Sequence, residues 1–151
     1  MNLDIYTDGA CSGNPGPAGI GVVMKQEGIT VKEISRSIGH STNNIAEYSA
    51  LIHALQEALI MKAEVVHVRS DSELMCQQVN GRYLVKNDGI KNLFGQVQHL
   101  KSGFKRFTLT HVRREFNKEA DALSRQAVKK AGQDGRPDAA GVGEESPSST
   151  G

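Results

Sequence analysis

The chain is 151 residues long, 38% hydrophobic and 23% charged, with a formal net charge of +1, the composition of one globular domain. A domain of this length buries roughly two thirds of its unfolded surface. Two cysteines, Cys11 and Cys76, with no clustered Cys/His spacing, exclude a disulfide framework and a zinc site. The opening MNLDIYTD has no basic leader, and no apolar run nears the ~18 residues of a membrane span, so a reducing cytoplasm is expected.

Residues 1–8 (MNLDIYTD) read as a strand that stops on a carboxylate, Asp8, and falls into the Gly/Pro loop SGNPGP. Residues 18–25 (AGIGVVMK) form a second strand and 30–38 (TVKEISRSI) a third, whose period-two alternation suits a half-buried antiparallel partner. A helix follows, capped by Asn43 or Asn44, with Leu51, Ala54, Leu55, Ala58 and Leu59 at helical spacing up to Lys62. VVHVRS (65–70) is a β-branched run, expected to be a parallel strand buried on both faces.

SELMCQQVNG predicts a short helix stopped by Gly81, and DGIKNLFGQVQHLKS a further helix. FTLTHV (107–112) is the fifth strand, and NKEADALSRQAVKKA a last helix with Asn117 as cap. The order βββαβααβα implies an α/β fold: a mixed five-stranded sheet, three leading antiparallel strands and then parallel ones, with helices on both faces. The folded domain is expected over 1–131, followed by an acidic Gly/Pro/Ser-rich tail, 132–151, expected to be disordered. Residues 101–130 hold nine Lys/Arg against three Asp/Glu, a run whose ordinary reading is a solvated helix face.

Four acids stand in awkward places. Asp8 and Asp71 end strands that, as parallel neighbours, bring their C-terminal ends together, where open α/β sheets bind ligands. Glu47 lies four residues before Leu51, on the apolar stripe and in the first turn of its helix, and Asp121 sits beside the Ala120, Leu123, Ala127 stripe of the last one. Any one of these acids is an ordinary cap or strand end; together they form a cluster of like charges that is unfavourable without a cation. Oxygen ligands without Cys or His suit a hard ion, Mg²⁺ or Mn²⁺.

Four blocks, YTDGACSGNPGPAGIG, STNNIAEYSALIHAL, VRSDSELMCQQVNG and NKEADALSRQA, stand in an order and spacing that resembles type 1 ribonuclease H over about residues 1–130. The resemblance implies the ribonuclease H-like sheet described above. It also implies an endonuclease that hydrolyses the RNA strand of RNA–DNA hybrids by in-line attack of water with two divalent ions, leaving 5′-phosphate and 3′-hydroxyl ends. Asp8, Glu47, Asp71 and Asp121 would be its catalytic, metal-binding acids. Gly9, Ser12, Gly13, Asn14, Thr42, Asn43, Asn44 and Gln77 match its hybrid-contacting positions. No membrane and no obligate protein partner is implied, and a monomer is expected.

The sequence departs from that pattern in two places. HVRREFNKEAD is short and lacks the Gly-rich, histidine-bearing loop of many members; His111 falls in the predicted strand, leaving Arg113, Arg114 or Glu115 as replacements. GRYLVKNDGIKNL lacks the tryptophan-bearing basic handle, so Lys86, Lys91, Lys101, Lys105 and Arg106 are the candidate phosphate contacts, and a separate hybrid-binding domain is not expected. A non-cleaving binding module would not need all four acids, and a transposase-like or junction-resolving enzyme on the same fold would need further domains.

Overall fold

The computed structural model describes residues 1–134, so the predicted tail lies outside the described residues except for its first three, which continue the last helix. The elements are β1 (Asn2–Cys11), β2 (Gly16–Gln26), β3 (Ile29–Ser41), α1 (Asn43–Ile60), β4 (Val65–Ser70), α2 (Glu73–Val79), α3 (Asp88–Lys101), β5 (Arg106–His111) and α4 (Lys118–Asp134), with a 3₁₀ turn at Arg114–Phe116. The sheet runs β3-β2-β1-β4-β5, antiparallel through the first three strands in the chain and parallel where β1 meets β4 and β4 meets β5. This is the predicted α/β architecture. No helix among the described residues is long and apolar enough to cross a membrane.

Period-two alternation divides the sheet between two helical layers. Gly9 pairs with Ile20 in the β1–β2 ladder, and a Cβ on Gly9 would sit 2.3 Å from the Ala46 carbonyl carbon of α1. Gly21 pairs with Asp8 on the opposite face, where a Cβ would come within 2.2 Å of the Ala120 carbonyl oxygen of α4. Both helices therefore lie directly on the strand backbone. Leu3, Ile5, Ile20, Val22, Met24, Val66 and Val68 bury against Leu51, Leu55 and Ala58 of α1, forming the main core. Burying such a side chain is worth about 1.5–3 kcal/mol.

Three local expectations change. Asp8 does not end β1, because pairing with β2 continues to Cys11↔Ala18 while pairing with β4 stops at Thr7↔Ser70. The first helix is capped by Thr42, whose hydroxyl accepts from Ile45 N at 3.3 Å, and not by Asn43 or Asn44, which already lie inside it; it ends at Ile60, with Lys62 at φ 65°. β4 is buried on one face only: Val66, Val68 and Ser70 are buried, whereas Val65, His67 and Arg69 are half-exposed. The cause is coverage, since α4 packs on β1, β2 and β3 and leaves β4 open on that side. Arg69 fills part of the gap, 3.0 Å from Asp4 and 5.3 Å over the Tyr6 ring.

Candidate active site

The point where β4 stops creates the site. Thr7↔Ser70 is the last rung between β1 and β4, so Asp8 and Asp71 follow side by side. Beyond that rung, the Gly9 N–H is left without a β4 partner, and it donates to Oε1 of Glu47 at 3.0 Å. The absence of a Cβ at Gly9 lets α1 come close enough for this bond. Glu47 enters from just past the first turn of α1, slightly later than the predicted position.

Asp8, Glu47 and Asp71 each offer a carboxylate oxygen such that all lie within 4.8 Å of one another. Asp8 is only 4% exposed, and one oxygen of Asp71 is buried without a hydrogen-bond partner. Burial, reinforced by Asp71 and Asp121 and opposed by the Ser124 hydroxyl, pushes the Asp8 carboxyl up to about 8. Burial likewise holds Glu47 well above the usual range, with Asp8 and Asp71 adding to the shift and the Gly9 N–H and Arg114 drawing it back. Anions this close resist joint ionisation. An all-oxygen cluster with a buried oxygen that makes no hydrogen bond is the donor set a hard divalent cation needs, so the three acids fit a metal site.

Asp121 stands at the edge of this group. It lines the same cleft, but its two oxygens are engaged by Arg125 Nε at 3.2 and 3.1 Å, and it is not one of the three clustered acids. Asn117 immediately precedes α4, its backbone oxygen accepting from Asp121 N; its buried side chain donates to the Thr7 carbonyl at 2.9 Å instead of capping the helix.

Asp8, Glu47 and Asp121 line an open cleft of about 550 Å³, whose walls include Gly9, Cys11, Ser12, Asn43, Asn44 and Arg114. Asn14 ties the loop after β1 to α1, its Oδ1 accepting from Asn43 N at 3.0 Å, while Gly13 takes φ 86° to turn the chain. Of the predicted contacts, Gly9, Ser12, Asn43 and Asn44 line the cleft; Gly13, Asn14 and Thr42 support its wall, and Gln77 lies away from it. The Gln77 carbonyl accepts from Arg82 N and Tyr83 N, closing the turn after α2.

Among the three candidates for the missing loop histidine, only Arg114 lines the cleft, 3.8 Å from Asp71 Oδ2; Arg113 and Glu115 pair with each other at 3.1 Å. Arg125 and Lys129 also line it and escaped the sequence reading, although they fall four and eight residues after Asp121, on one helical face. None of Lys86, Lys91, Lys101, Lys105 and Arg106 lines it, and no histidine does: His53 bonds the Ser49 carbonyl and His67 the Thr108 hydroxyl.

With this geometry in hand, the chain can be set beside known proteins. A reverse transcriptase-like family model matches residues 6–127. The Ribonuclease H of Chlorobium chlorochromatii is 35% identical over 143 residues, which cover 85% of this chain and 96% of that protein. The chain belongs to the ribonuclease H family. A ribonuclease H1 isolated from compost, solved in complex with an RNA/DNA hybrid, is 44% identical with a TM-score of 0.81, over 85% of this chain and 98% of its own. The Bifunctional protein of Mycobacterium tuberculosis is 38% identical over this whole chain, which spans only 43% of that relative's length. The solved N-terminal RNase H domain from the same organism superposes with a TM-score of 0.87 at 37% identity, over 90% and 99% of the two chains.

Proposed function

We propose that this ribonuclease H domain is an endonuclease that hydrolyses the RNA strand of RNA–DNA hybrids, leaving 5′-phosphate and 3′-hydroxyl ends. The observation that carries the reading is the convergence of Asp8, Glu47 and Asp71, the first two of which line a cleft walled by the loop after β1 and the start of α1. A purely structural role gives no reason to press three carboxylates together at the cost of ionising Asp8 and Glu47.

Each residue then has work to do. Asp8, Glu47 and Asp71 would hold divalent ions, Mg²⁺ or Mn²⁺, with Asp121 joining them once it parts from Arg125. Two such ions, when bound, supply an activated water at neutral pH and charge stabilisation for the leaving oxygen. The Gly9 N–H keeps Glu47 turned into the cleft. Ser12, Asn43 and Asn44, on the wall, offer the polar atoms that read 2′-hydroxyls and base edges across a shallow minor groove, the surface a hybrid presents. Arg114, cationic and on the rim, is placed to meet a backbone phosphate near the acids.

The test incubates the protein, with and without Mg²⁺ or Mn²⁺, with an end-labelled RNA–DNA hybrid and matched RNA and DNA duplexes. Metal-dependent cutting confined to the RNA strand of the hybrid is the expected result. Hybrid binding without cutting under either ion would overturn the reading in favour of a binding module.

A further inference from the structure

α4 reaches the acid cluster through a single residue. Ser124 is fully buried, and its hydroxyl donates to Asp8 Oδ2 while lying 2.9 Å from the Asp121 carbonyl one turn earlier. One hydroxyl proton cannot serve both acceptors, and Asp8, once ionised beside a cation, is the stronger of the two. The carbonyl contact is the ordinary back-bonding of a helical serine. The bond to Asp8, 116 residues away in sequence, is the one that tertiary structure has built.

Its construction is visible in β2. Gly21 pairs with Asp8 and Gly19 lies two residues before it, on the same face. A Cβ at Gly21 would stand 2.6 Å from Ser124 N, and one at Gly19 2.6 Å from the Ala127 Cβ. Two bare positions thus let α4 settle onto the strand until the Ser124 hydroxyl meets the neighbouring carboxylate. Ser35 of β3 adds a further tie, donating to the Leu123 carbonyl at 2.8 Å. A serine placed so accurately beside the most buried acid of the cluster has more to do than fill space.

We infer that Ser124 is a positioning residue for Asp8: its hydroxyl claims one carboxylate oxygen and leaves the other to face Glu47 and Asp71 as a single-oxygen metal ligand. The inference rests on the metal-dependent reading above, and it deepens it by assigning the rotational setting of one ligand to a residue that touches neither metal nor substrate. Groups that orient ligands in this way typically change metal affinity or activity 10–100-fold when removed.

The experiment uses the full chain and reads Mn²⁺ binding without nucleic acid, by calorimetry or electron spin resonance, alongside kcat and KM on hybrid and the melting temperature. Ser124→Ala is expected to weaken Mn²⁺ binding about tenfold. The same variant should lower kcat at fixed metal while KM for hybrid stays within about twofold, since no contact with nucleic acid is lost. Ser124→Thr, which keeps the hydroxyl, is expected to restore most of the Mn²⁺ affinity. If Ser124→Ala fails to fold, Ser124→Cys keeps the volume with a weak donor and takes its place. Unchanged Mn²⁺ affinity in a folded variant would overturn the assignment, as would a loss that Ser124→Thr does not repair while melting as the wild type does. Wild-type protein that binds Mn²⁺ but cuts no hybrid would sink the nuclease reading alone, because the Mn²⁺ comparison stands without catalysis.

Discussion

On the α1 face of the sheet, Leu3 and Ile5 of β1 and Ile20, Val22 and Met24 of β2 meet Leu51, Leu55 and Ala58 in a dry, closely filled layer. On the α4 face, the same two strands present Asp4, Tyr6 and Asp8, and Gly19 and Gly21, and the helix over them contributes Ala120, Ser124 and Ala127. The first is mostly side-chain volume, with backbone contact only at Gly9; the second, apart from Val23, is mostly backbone contact and polar groups. Alternation along β1 and β2 thus puts most of the apolar volume on one face and Asp8 on the other, with Glu47 reaching the site from α1 past the bare Gly9. The α1 face should tolerate swaps that conserve volume, whereas the α4 face has no slack, because its fit depends on atoms that are missing.

The largest effect should come from Asp8. Asp8→Asn is expected to lower hybrid cleavage by about 10³-fold or more, the loss of several kcal/mol of transition-state stabilisation. In EDTA at about pH 9, above the raised Asp8 pKa, the same variant should melt a few degrees higher than wild type, because it removes a buried anion from the group of three. Calorimetry and an end-labelled cleavage assay on one preparation check both halves. An active Asp8→Asn protein would remove the acid cluster from the account.

A paired comparison then probes the two faces directly. Leu55→Ala empties part of the α1 layer and should cost about 2–5 kcal/mol, leaving kcat per folded molecule within about twofold. Gly21→Ala pushes a methyl against the Ala120 carbonyl and Ser124 N; it should cost less, about 1–3 kcal/mol, yet reduce kcat about tenfold because α4 must move relative to Asp8. Chemical denaturation gives the first quantity and single-turnover cleavage the second. If both variants lost activity only in proportion to unfolding, the division between faces would fail.

pH offers a smaller, reversible version of the same contrast. Asp8 has its folded-state pKa raised from 3.8 to about 8, so its contribution to stability is fully present below about pH 4 and is lost as pH rises toward 8. Glu47 is shifted in the same direction. Metal-free protein should therefore melt several degrees lower at pH 9 than at pH 5. Saturating Mg²⁺ should flatten that slope, and Asp8→Asn should reduce it without metal; a metal-free melting temperature flat across the window would contradict the burial argument. The apolar side chains of the α1 layer add nothing to the dependence, while His53 of α1, whose pKa burial lowers, opposes it at the acid end.

How much of this was readable in advance depended on how local the cause is. The adjacency of Asp8 and Asp71 follows from strand order alone and survives even though β1 runs on to Cys11, because what matters is where β4 stops. Glu47 was legible from helical spacing. The half-open face of β4 was not, since it depends on where α4 comes to rest, and β-branched residues suit either environment. Ser124 left no signal of its own: nothing in ADALSRQ points to a residue 116 positions earlier, and only Gly19 and Gly21, read together with α4, would have shown the approach. Arg125 was within reach, because an acid and an arginine four apart on a helix pair as a rule.

The smallest predicted effect separates two roles held by one residue. Thr42 caps α1 through Ile45 N, and it stands beside Asn43 and Asn44, which line the cleft. Thr42→Ala should cost about 1 kcal/mol from the lost cap. Thr42→Ser keeps the hydroxyl and should cost only a few tenths of that. If Thr42 only caps the helix, KM for hybrid changes little in either variant once both are fully folded. If it also meets a phosphate of the hybrid, KM rises severalfold in Thr42→Ala and stays near wild type in Thr42→Ser, and the salt dependence of binding falls by about one phosphate contact only if the residue orients a neighbouring cation, since a neutral hydroxyl releases no counterion by itself. Steady-state kinetics at two salt concentrations distinguishes these cases, and the α4 face, which does not touch Thr42, supplies the control through an unchanged Mn²⁺ affinity.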